Sequence, residues 1–363
     1  MKIFLVTKSL SGVVGGVERQ IGNIALRLSQ SRHNVSILSS DSEFPEIFYS
    51  VMSEFPILTY GQGIMQTLSA NSRRFKRQRN IYSLIRSCKP QLIIAFMLSG
   101  YLIALPSAIL TRTPIVLAER NSPDVYELTR AKKYKRLYFY LMRFASVITV
   151  QLEVYKKRYP EFLQRKIQVI HNEILISPKT GNRIRAVRPF TFGFVGRLCH
   201  QKQPIRLLES FARHISAGYD SRLIFFGQGE LGVELRSKIS HLQLEDLVTI
   251  SEPIRNLDEI YNLIDALCLP SLWEGFPNVV GEAMTYGLPI LGNRNCFGLS
   301  ELVTERVGLL VDFEDENSDG FLNLISLFRN NQLHKLEIIE HINKLQDHDF
   351  VELWNQVTLD ATK

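Results

Sequence analysis

The chain has 363 residues, of which 45% are hydrophobic and 22% charged, and it carries a formal net charge of +7. This length favours two domains over one core, and the composition excludes a disordered or fibrous protein. The charge is uneven, because residues 1–180 hold 26 Lys and Arg against 11 Asp and Glu, whereas residues 181–363 hold 17 against 25.

The first half alternates short apolar runs with amphipathic stretches. The apolar runs predict strands at residues 3–6, 35–39, 92–96, 115–118, 147–150 and 167–170, and residues 16–30 have helical periodicity. Residues 92–110 form 19 uncharged positions, close to the length of a membrane span. Because Gly100 and Pro106 interrupt this run and a second apolar run follows it, strand, helix and strand is the favoured interpretation.

The pattern restarts after a polar segment at residues 175–189, which is predicted to be a linker. Strands are predicted at residues 192–195, 222–226, 248–250, 266–269, 289–291 and 308–311, and a last helix at residues 347–361. Alternating strands and helices predict an α/β protein with two Rossmann-like domains facing a cleft. Ligands of such sheets bind outside the carboxyl ends of the strands.

The cysteines and the N-terminus bear on the compartment. The four cysteines are scattered without a C-x-x-C pair, which is typical of reduced thiols in a cytoplasmic protein. The first residues, MKIFLVTKSL, have too short an apolar run for a signal peptide. We therefore expect a cytoplasmic protein.

Two strand–helix junctions have the residue types of an anion site. Gly15 and Gly16 stand between a strand and a helix, where glycine lets a ligand approach the backbone and the helix N-terminus favours anions. The segment is not a G-x-G-x-x-G fingerprint, which argues against a dinucleotide cofactor. Arg197 and Lys202, in FVGRLCHQK, follow a strand and suit a diphosphate; the alternative is two solvated cations.

Two further junctions complete the pattern. Gly227 and Gly229 follow the strand at residues 222–226, and a short loop with Pro253 and Ile254 follows the next strand; this loop could hold a nucleotide base or be an ordinary connection. In SLWEGFPNVVGEAM, Glu274 lies in a loop and a helix is predicted to start with Asn278 as its N-cap.

The same stretch places Glu282 one turn into that helix. The helix N-terminus would favour a leaving phosphate, Glu282 could accept hydrogen bonds from ribose hydroxyls, and Glu274 could reach the sugar. Two isolated glutamates would more often be solvated surface charges. All four junctions belong at one cleft of the predicted fold, which favours a site.

The segments FVGRLCHQK, FFGQGELGVEL and PSLWEGFPNVVGEAMTYGLPI resemble the C-terminal signature of family-four retaining glycosyltransferases of GT-B fold, and GGVERQ resembles their first-domain loop. The resemblance implies an acceptor-binding domain at residues 1–180, a nucleotide-sugar-binding domain at 181–346, and a C-terminal helix at 347–363 that crosses back to the first domain. The implied catalytic residues are Glu274, Arg197 and Lys202. The implied donor-binding residues are Gly15, Gly16, Gly227, Gly229, Pro253, Ile254, Gly275, Phe276, Pro277, Asn278, Val279 and Glu282.

The chain departs from the family pattern in two places. Many members have a histidine after a strand of the first domain, where this chain reads LAERNSPD. The acceptor-side candidates are Glu119, Arg120 and Asn121, with Arg120 or Asn121 in the place of the histidine; similar stretches resemble enzymes of bacterial surface polysaccharides and lipid-linked oligosaccharides. The usual Gly-Gly pair of a later loop is reduced to Gly298.

The resemblance implies retaining transfer of a hexosyl or hexosaminyl group from a nucleotide sugar, with UDP-sugar favoured. The implied acceptor is a lipid-linked glycan or polysaccharide of O-antigen, capsule or exopolysaccharide synthesis. No cofactor and no metal are expected, because no D-x-D-type carboxylate pair stands at a strand end near the phosphate loops. One alternative is a non-catalytic nucleotide-sugar-binding relative. An NAD-dependent oxidoreductase would lack its fingerprint, and a nucleic-acid-binding protein would leave Glu274 and Glu282 without a role.

Two clusters of positive charge suggest a membrane partner. Residues 73–79 and 130–136 each hold five Lys or Arg in seven positions, and aromatic residues interleave the second cluster. This pattern is typical of a basic amphipathic helix on anionic lipid, although a solvated helix face is the alternative. We expect a peripheral protein on the inner leaflet of the cytoplasmic membrane.

Overall fold

The computed structural model describes residues 1–10, 16–41, 45, 47, 50–64, 69–174, 189–254, 256–346 and 349–363. It divides into two compact units, one made of Met1–Glu173 with His348–Lys363 and the other of Ile174–Asp347. The predicted domain boundary, between residues 180 and 181, lies outside the described residues. So does the predicted linker at residues 175–189, apart from Pro189. Gly15 lies outside them as well.

The first unit is built on a parallel sheet whose strand order is β3-β2-β1-β4-β5-β6-β7. Its strands are β1 (Lys2–Val6), β2 (Asn34–Ser39), β3 (Ile57–Thr59), β4 (Leu92–Phe96), β5 (Ile115–Ala118), β6 (Val147–Val150) and β7 (Ile167–Val169). The six predicted strands are confirmed to within one residue at each end, whereas β3 was not predicted. All five residues of β4 are buried, as expected of a strand covered on both faces.

Helices cover this sheet. They are α1 (Gly16–Gln30), α2 (Ala70–Cys88), α3 (Met97–Thr111), α4 (Val125–Leu128), α5 (Lys135–Met142), α6 (Glu153–Lys156) and α7 (Glu161–Gln164). The apolar run at residues 92–110 is divided between β4 and α3, so the strand–helix–strand prediction is confirmed. Among the helices of the described ranges, none has both the length and the apolar character needed to cross a membrane.

The second unit has a parallel sheet of strand order β10-β9-β8-β11-β12-β13. Its strands are β8 (Phe190–Val195), β9 (Ser221–Phe226), β10 (Val248–Ser251), β11 (Ala266–Leu269), β12 (Ile290–Asn293) and β13 (Gly308–Val311). Its helices are α8 (Pro204–Ser216), α9 (Gly232–His241), α10 (Leu257–Tyr261), α11 (Asn278–Thr285), α12 (Leu299–Leu302), α13 (Gly320–Arg329) and α14 (Lys335–Gln346). The six predicted strands are confirmed.

The strand order of the second unit fixes where a ligand would bind. From β8 the chain first adds β9 and β10 on one side and then returns to add β11, β12 and β13 on the other. The order therefore reverses between β8 and β11, and the loops that leave the carboxyl ends of these two strands flank the switch point. Open α/β sheets bind ligands at this position.

The last helix, α15 (Phe350–Thr362), belongs to the first unit. Trp354 and Val357 are fully buried in the same apolar core as Ile3 and Leu5 of β1. The predicted final helix and its return to the first unit are thus confirmed.

Candidate active site

Two loops of the second unit are joined at the switch point. The loop after β8 contains Gln201, whose Nε2 donates to the Trp273 carbonyl at 2.8 Å, while Leu272 N donates to the Gln201 carbonyl at 2.9 Å. These two bonds tie the β8 loop to the β11 loop. Sequence reasoning did not find Gln201, because one glutamine between two charged motif residues has no distinguishing pattern.

The same two loops bring two predicted catalytic residues into contact. Lys202 Nζ lies 2.5 Å from Glu274 Oε1, although the residues are 72 positions apart in the chain. Their side chains are only 14% and 10% exposed, so water screens the pair weakly. The contact places an ammonium and a carboxylate at the point where the fold favours a ligand. Arg197 is exposed in the β8 loop.

The predicted glycines have a structural reason in this loop. A Cβ at Gly227 would lie 1.9 Å from the Gly196 carbonyl oxygen, and a Cβ at Gly229 would lie 2.4 Å from the Leu198 carbonyl oxygen. Only glycine therefore lets the β9 loop lie directly on the β8 loop. Their role in donor binding stays a prediction, as does that of Pro253 and Ile254, which follow β10.

Helix α11 begins immediately after the Glu274 loop. The N-cap is Pro277, in extended conformation, and Asn278 is the first helical residue, so the prediction that Asn278 caps the helix was wrong. Proline suits the cap because its carbonyl accepts from Val280 N at 2.9 Å and the N–H that it lacks is not needed there. Gly275 and Phe276 are buried beside it.

Glu282 is in the second turn of α11, as predicted, and is 2% exposed. The Tyr261 hydroxyl donates to Glu282 Oε2 at 2.7 Å. Val279, another predicted donor residue, is half-buried one turn earlier. Tyr261 was not predicted, because a tyrosine before a strand reads as an ordinary core residue.

The loop after β12 is tied to the same place. Asn293 Nδ2 donates to the Ser271 carbonyl at 3.1 Å, and Trp273 forms a β-bridge with Phe297. Gly298, the one glycine that remains of the family's usual pair, has φ +87° and caps α12. The glycine therefore serves the left-handed start of this helix.

The acceptor-side candidates lie at the carboxyl end of β5 in the first unit. Glu119 is buried, and its Oε2 accepts from the Tyr126 hydroxyl at 2.6 Å. Burial raises the pKa of Glu119, and the hydrogen bond from Tyr126 opposes this rise. Glu119 is thus enclosed by protein, and its role towards an acceptor stays a prediction. Asn121 is half-buried.

Arg120 is also buried. Its Nη1 donates to Asn172 Oδ1 at 3.1 Å, and its guanidinium lies over the Trp354 ring at 5.5 Å from the centroid. Its Nε and Nη2 are buried without a hydrogen-bond partner. Burial lowers the pKa of Arg120 to about 10, which still leaves the group charged at neutral pH.

In the ranges that the structure describes, no three His, Cys, Asp or Glu side chains are grouped to hold a metal ion.

Gly16, a predicted donor-binding residue, is the first residue of α1 in the first unit and directly follows the undescribed residues 11–15.

Two family models match the chain, one for each half. The model "Glycosyltransferase Family 4" matches residues 14–174, and "Glycosyl transferases group 1" matches residues 182–344. The chain belongs to the family-four glycosyltransferases. In this glycosyltransferase, the Lys202–Glu274 contact lies within the second matched region, residues 182–344.

Similar proteins include two bacterial transferases. A Campylobacter jejuni α-1,4-N-acetyl-D-galactosaminyltransferase, named for a diphosphoundecaprenol-linked acceptor, is 24% identical over 87% of this chain and 86% of its own. An Escherichia coli UDP-Gal:α-D-GlcNAc-diphosphoundecaprenol α-1,3-galactosyltransferase is 26% identical over 61% of this chain and 65% of its own.

Solved structures share the fold of this glycosyltransferase. Anabaena HepE in complex with UDP-glucose has a TM-score of 0.79 at 19% identity, covering 99% of this chain and 98% of its own. The lipopolysaccharide outer core galactosyltransferase WaaB has a TM-score of 0.73 at 20% identity, with 99% of both chains covered. The fold class is GT-B, as the sequence predicted.

Proposed function

We propose that this glycosyltransferase moves a hexosyl or hexosaminyl group from a UDP-sugar to a lipid-linked acceptor in bacterial surface-glycan synthesis, with retention at the anomeric carbon. The Lys202–Glu274 contact at the switch point carries the proposal, because it joins a cation suited to a diphosphate with a carboxylate suited to a sugar. The UDP-Gal donor named for the E. coli relative supports the choice of UDP-sugar, and the undecaprenol-linked acceptors named for the E. coli and C. jejuni relatives support a lipid-linked acceptor.

The proposed chemistry uses residues in place of a metal. Lys202, Arg197 and the N-terminus of α11 would neutralise the departing diphosphate, since fixed positive charge at developing negative charge lowers the barrier. The sugar–phosphate bond breaks, the acceptor oxygen bonds the anomeric carbon on the same face, and its proton passes to the β-phosphate oxygen. Glu282 would accept hydrogen bonds from the ribose.

The test is transfer from labelled UDP-sugars to diphosphoundecaprenol-linked acceptors, with the product anomer read by NMR. We expect the anomeric configuration of the donor to be kept and activity to survive EDTA. An inverted anomer would contradict retention. Activity lost in EDTA and restored only by a divalent cation would contradict the metal-independent mechanism.

Ligand protection separates the alternatives. UDP should raise the unfolding temperature, because a ligand that binds only the native state stabilises it, whereas NAD should have no effect. Protection by UDP without turnover of any donor would favour the non-catalytic relative. Protection by NAD alone would favour an oxidoreductase.

We also propose that the first unit binds anionic lipid at the inner leaflet. A single basic amphipathic helix was predicted for the second basic cluster, and this prediction was wrong. Thr129 caps a 3₁₀ turn at Arg130–Tyr134, and α5 begins only at Lys135. Leu137 and Tyr140 of α5 and Phe144 just beyond its end are each about half exposed, and the Tyr140 and Phe144 rings pack edge to face with centroids 6.2 Å apart. Exposed apolar side chains among cations are typical of an interfacial segment.

Cations lie near these exposed apolar side chains. The Arg143 guanidinium lies over the Tyr140 ring at 5.1 Å from the centroid, and Lys133 and Arg136 are exposed nearby in the chain. The first cluster is on α2, where Phe75 is 72% exposed between Arg74 and Lys76. Each cation close to an anionic leaflet contributes about 1 kcal/mol, so a few of them suffice for reversible attachment.

Sedimentation with liposomes tests this partner. We expect binding to anionic but not neutral vesicles, loss of binding in high salt, and weaker binding after Lys133→Glu with Arg136→Glu. Arg236→Glu, an exposed cation of α9 in the second unit, is the matched control and should bind like the native chain. Equal recovery in the supernatant with both vesicle types at low salt would contradict the proposal.

A further inference from the structure

We propose that Tyr261 is a positioning residue that orients the Glu282 carboxylate towards the ribose of the nucleotide; this rests on the proposed function of Glu282. Tyr261 ends α10 and is fully buried. Its hydroxyl donates to Glu282 Oε2 at 2.7 Å across two helices. A residue of α10 thereby holds a side chain of α11.

The contact holds one oxygen of the Glu282 carboxylate. The last torsion of a glutamate side chain is broad, so its carboxylate needs a partner to hold one plane. The Tyr261 hydroxyl also lies 3.4 Å from the Val279 carbonyl, but a single proton serves mainly the shorter, charge-assisted bond to Glu282. With Oε2 engaged on the Tyr261 side, the plane in which the carboxylate accepts further hydrogen bonds is set.

A second tyrosine packs its ring against Tyr261. The Tyr261 and Tyr286 rings pack with centroids 5.1 Å apart, and the Tyr286 hydroxyl donates to Asp258 Oδ1 at 2.6 Å. Both tyrosines therefore hydrogen-bond a carboxylate between α10 and the α11 region; Tyr261 bonds Glu282, which is assigned to the ribose, whereas Tyr286 bonds Asp258. Tyr286→Phe is accordingly a matched control for Tyr261→Phe.

The experiment compares inhibition of transfer by UDP and by 2′-deoxy-UDP in the native enzyme, Tyr261→Phe, Tyr286→Phe and Glu282→Gln. In the native enzyme UDP should inhibit about tenfold more strongly, the scale of one hydrogen bond to a charged acceptor. Tyr261→Phe should bring this ratio close to one and raise the donor KM about tenfold, with kcat changed by less than about threefold. Tyr286→Phe should keep the native ratio.

Each outcome decides one point. A merely structural role of Tyr261 would lower the unfolding temperature but leave the UDP to 2′-deoxy-UDP ratio native, and that result would overturn the proposal. The double variant Tyr261→Phe with Glu282→Gln should be no worse than Glu282→Gln alone, because the two residues act as one unit. If Glu282→Gln itself keeps the native ratio, the ribose role in the proposed function fails and the positioning role fails with it.

Discussion

At the scale of single residues, the loops after β8 and β11 are joined by a pair of opposite charges. Lys202 and Glu274 are each other's partner at 2.5 Å while both are largely buried. A diphosphate that binds Lys202 therefore competes with Glu274 for the same ammonium. The proposed function therefore gives the two residues opposite expected effects on nucleotide binding.

Glu274→Gln is predicted to separate binding from chemistry. Removing the competing carboxylate should tighten UDP binding about two- to fivefold, a modest gain because the attraction within a largely buried ion pair is partly offset by the cost of desolvating both charges. Turnover should fall about 100-fold or more, as when a transition-state electrostatic contact is lost. Calorimetric titration with UDP and steady-state kinetics measure the two effects.

The control for this variant is Glu234→Gln, an exposed carboxylate of α9, which should leave both quantities unchanged. Weaker UDP binding in Glu274→Gln would mean that Glu274 supports the nucleotide rather than competing with it.

At the scale of elements, the sequence predicts strands well and side-chain contacts poorly. Parallel strands buried on both faces read as apolar runs, which is why a strand was predicted at residues 92–96. The edge strand β3 has three half-buried residues and leaves no such run. The motifs located Lys202 and Glu274 at strand ends, but no sequence pattern reveals that Gln201 joins their loops, because that contact depends on tertiary packing.

Gly227→Ala is predicted to displace the β8 loop. The new methyl group would meet the Gly196 carbonyl oxygen at 1.9 Å, a backbone atom that can move only with its loop. We expect a donor KM raised about tenfold or more and a loss of about 1–3 kcal/mol of stability, as for other strained insertions.

The matched control is Gly232→Ala at the start of α9, where a Cβ would make an ordinary contact of 3.6 Å with Leu198. That change should be neutral or slightly stabilising. A Gly227→Ala enzyme with native KM and stability would show that the close approach is not required.

The contact between the buried His214 and Asp319 should make the stability of the protein depend on pH. His214 of α8 contacts Asp319 Oδ2 through Nδ1 at 2.7 Å and the Ser221 hydroxyl through Nε2 at 3.0 Å. Burial acts to raise the pKa of Asp319, but the hydrogen bonds from His214 and the Leu322 N–H outweigh it and the pKa is lowered. A carboxyl whose folded pKa is below its unfolded value stabilises the native state above the unfolded pKa, and this contribution is lost as pH falls towards the folded pKa.

Asp319→Asn should therefore cost on the order of 1 kcal/mol at pH 7, since the carboxylate is partly exposed, and less as pH falls below about 4. Urea unfolding at pH 7 and below about pH 4 measures the free energy of unfolding of both proteins under the two conditions. Asparagine can keep the cap of α13 through its one side-chain oxygen, so the change removes the negative charge and the oxygen that faces His214. The control variant is Asp349→Asn, which makes the same change at the N-cap of another helix, α15. A deficit in Asp319→Asn that is the same at both pH values would contradict the charge argument.

At the scale of the whole molecule, the two ends of the chain build one unit and the middle builds the other. Residues 348–363 return to the unit that contains residue 1, so the second unit is inserted between the parts of the first. The apolar core of the first unit is therefore complete only when the last helix packs against the first sheet. Its stability should depend on a residue that lies more than 170 positions beyond the rest of that unit.

Trp354→Ala tests this dependence. Trp354 is fully buried in the core that contains β1, and its ring lies under the Arg120 guanidinium, so its loss should cost about 3–5 kcal/mol. Hydrogen exchange read by mass spectrometry should show faster exchange in β1, β4 and β5 and native exchange in β8, β9 and β11. Leu359→Ala, on the same helix but 52% exposed, should change neither set. Equal acceleration in both sheets would mean that the units unfold together, and unchanged exchange would mean that α15 does not stabilise the first unit.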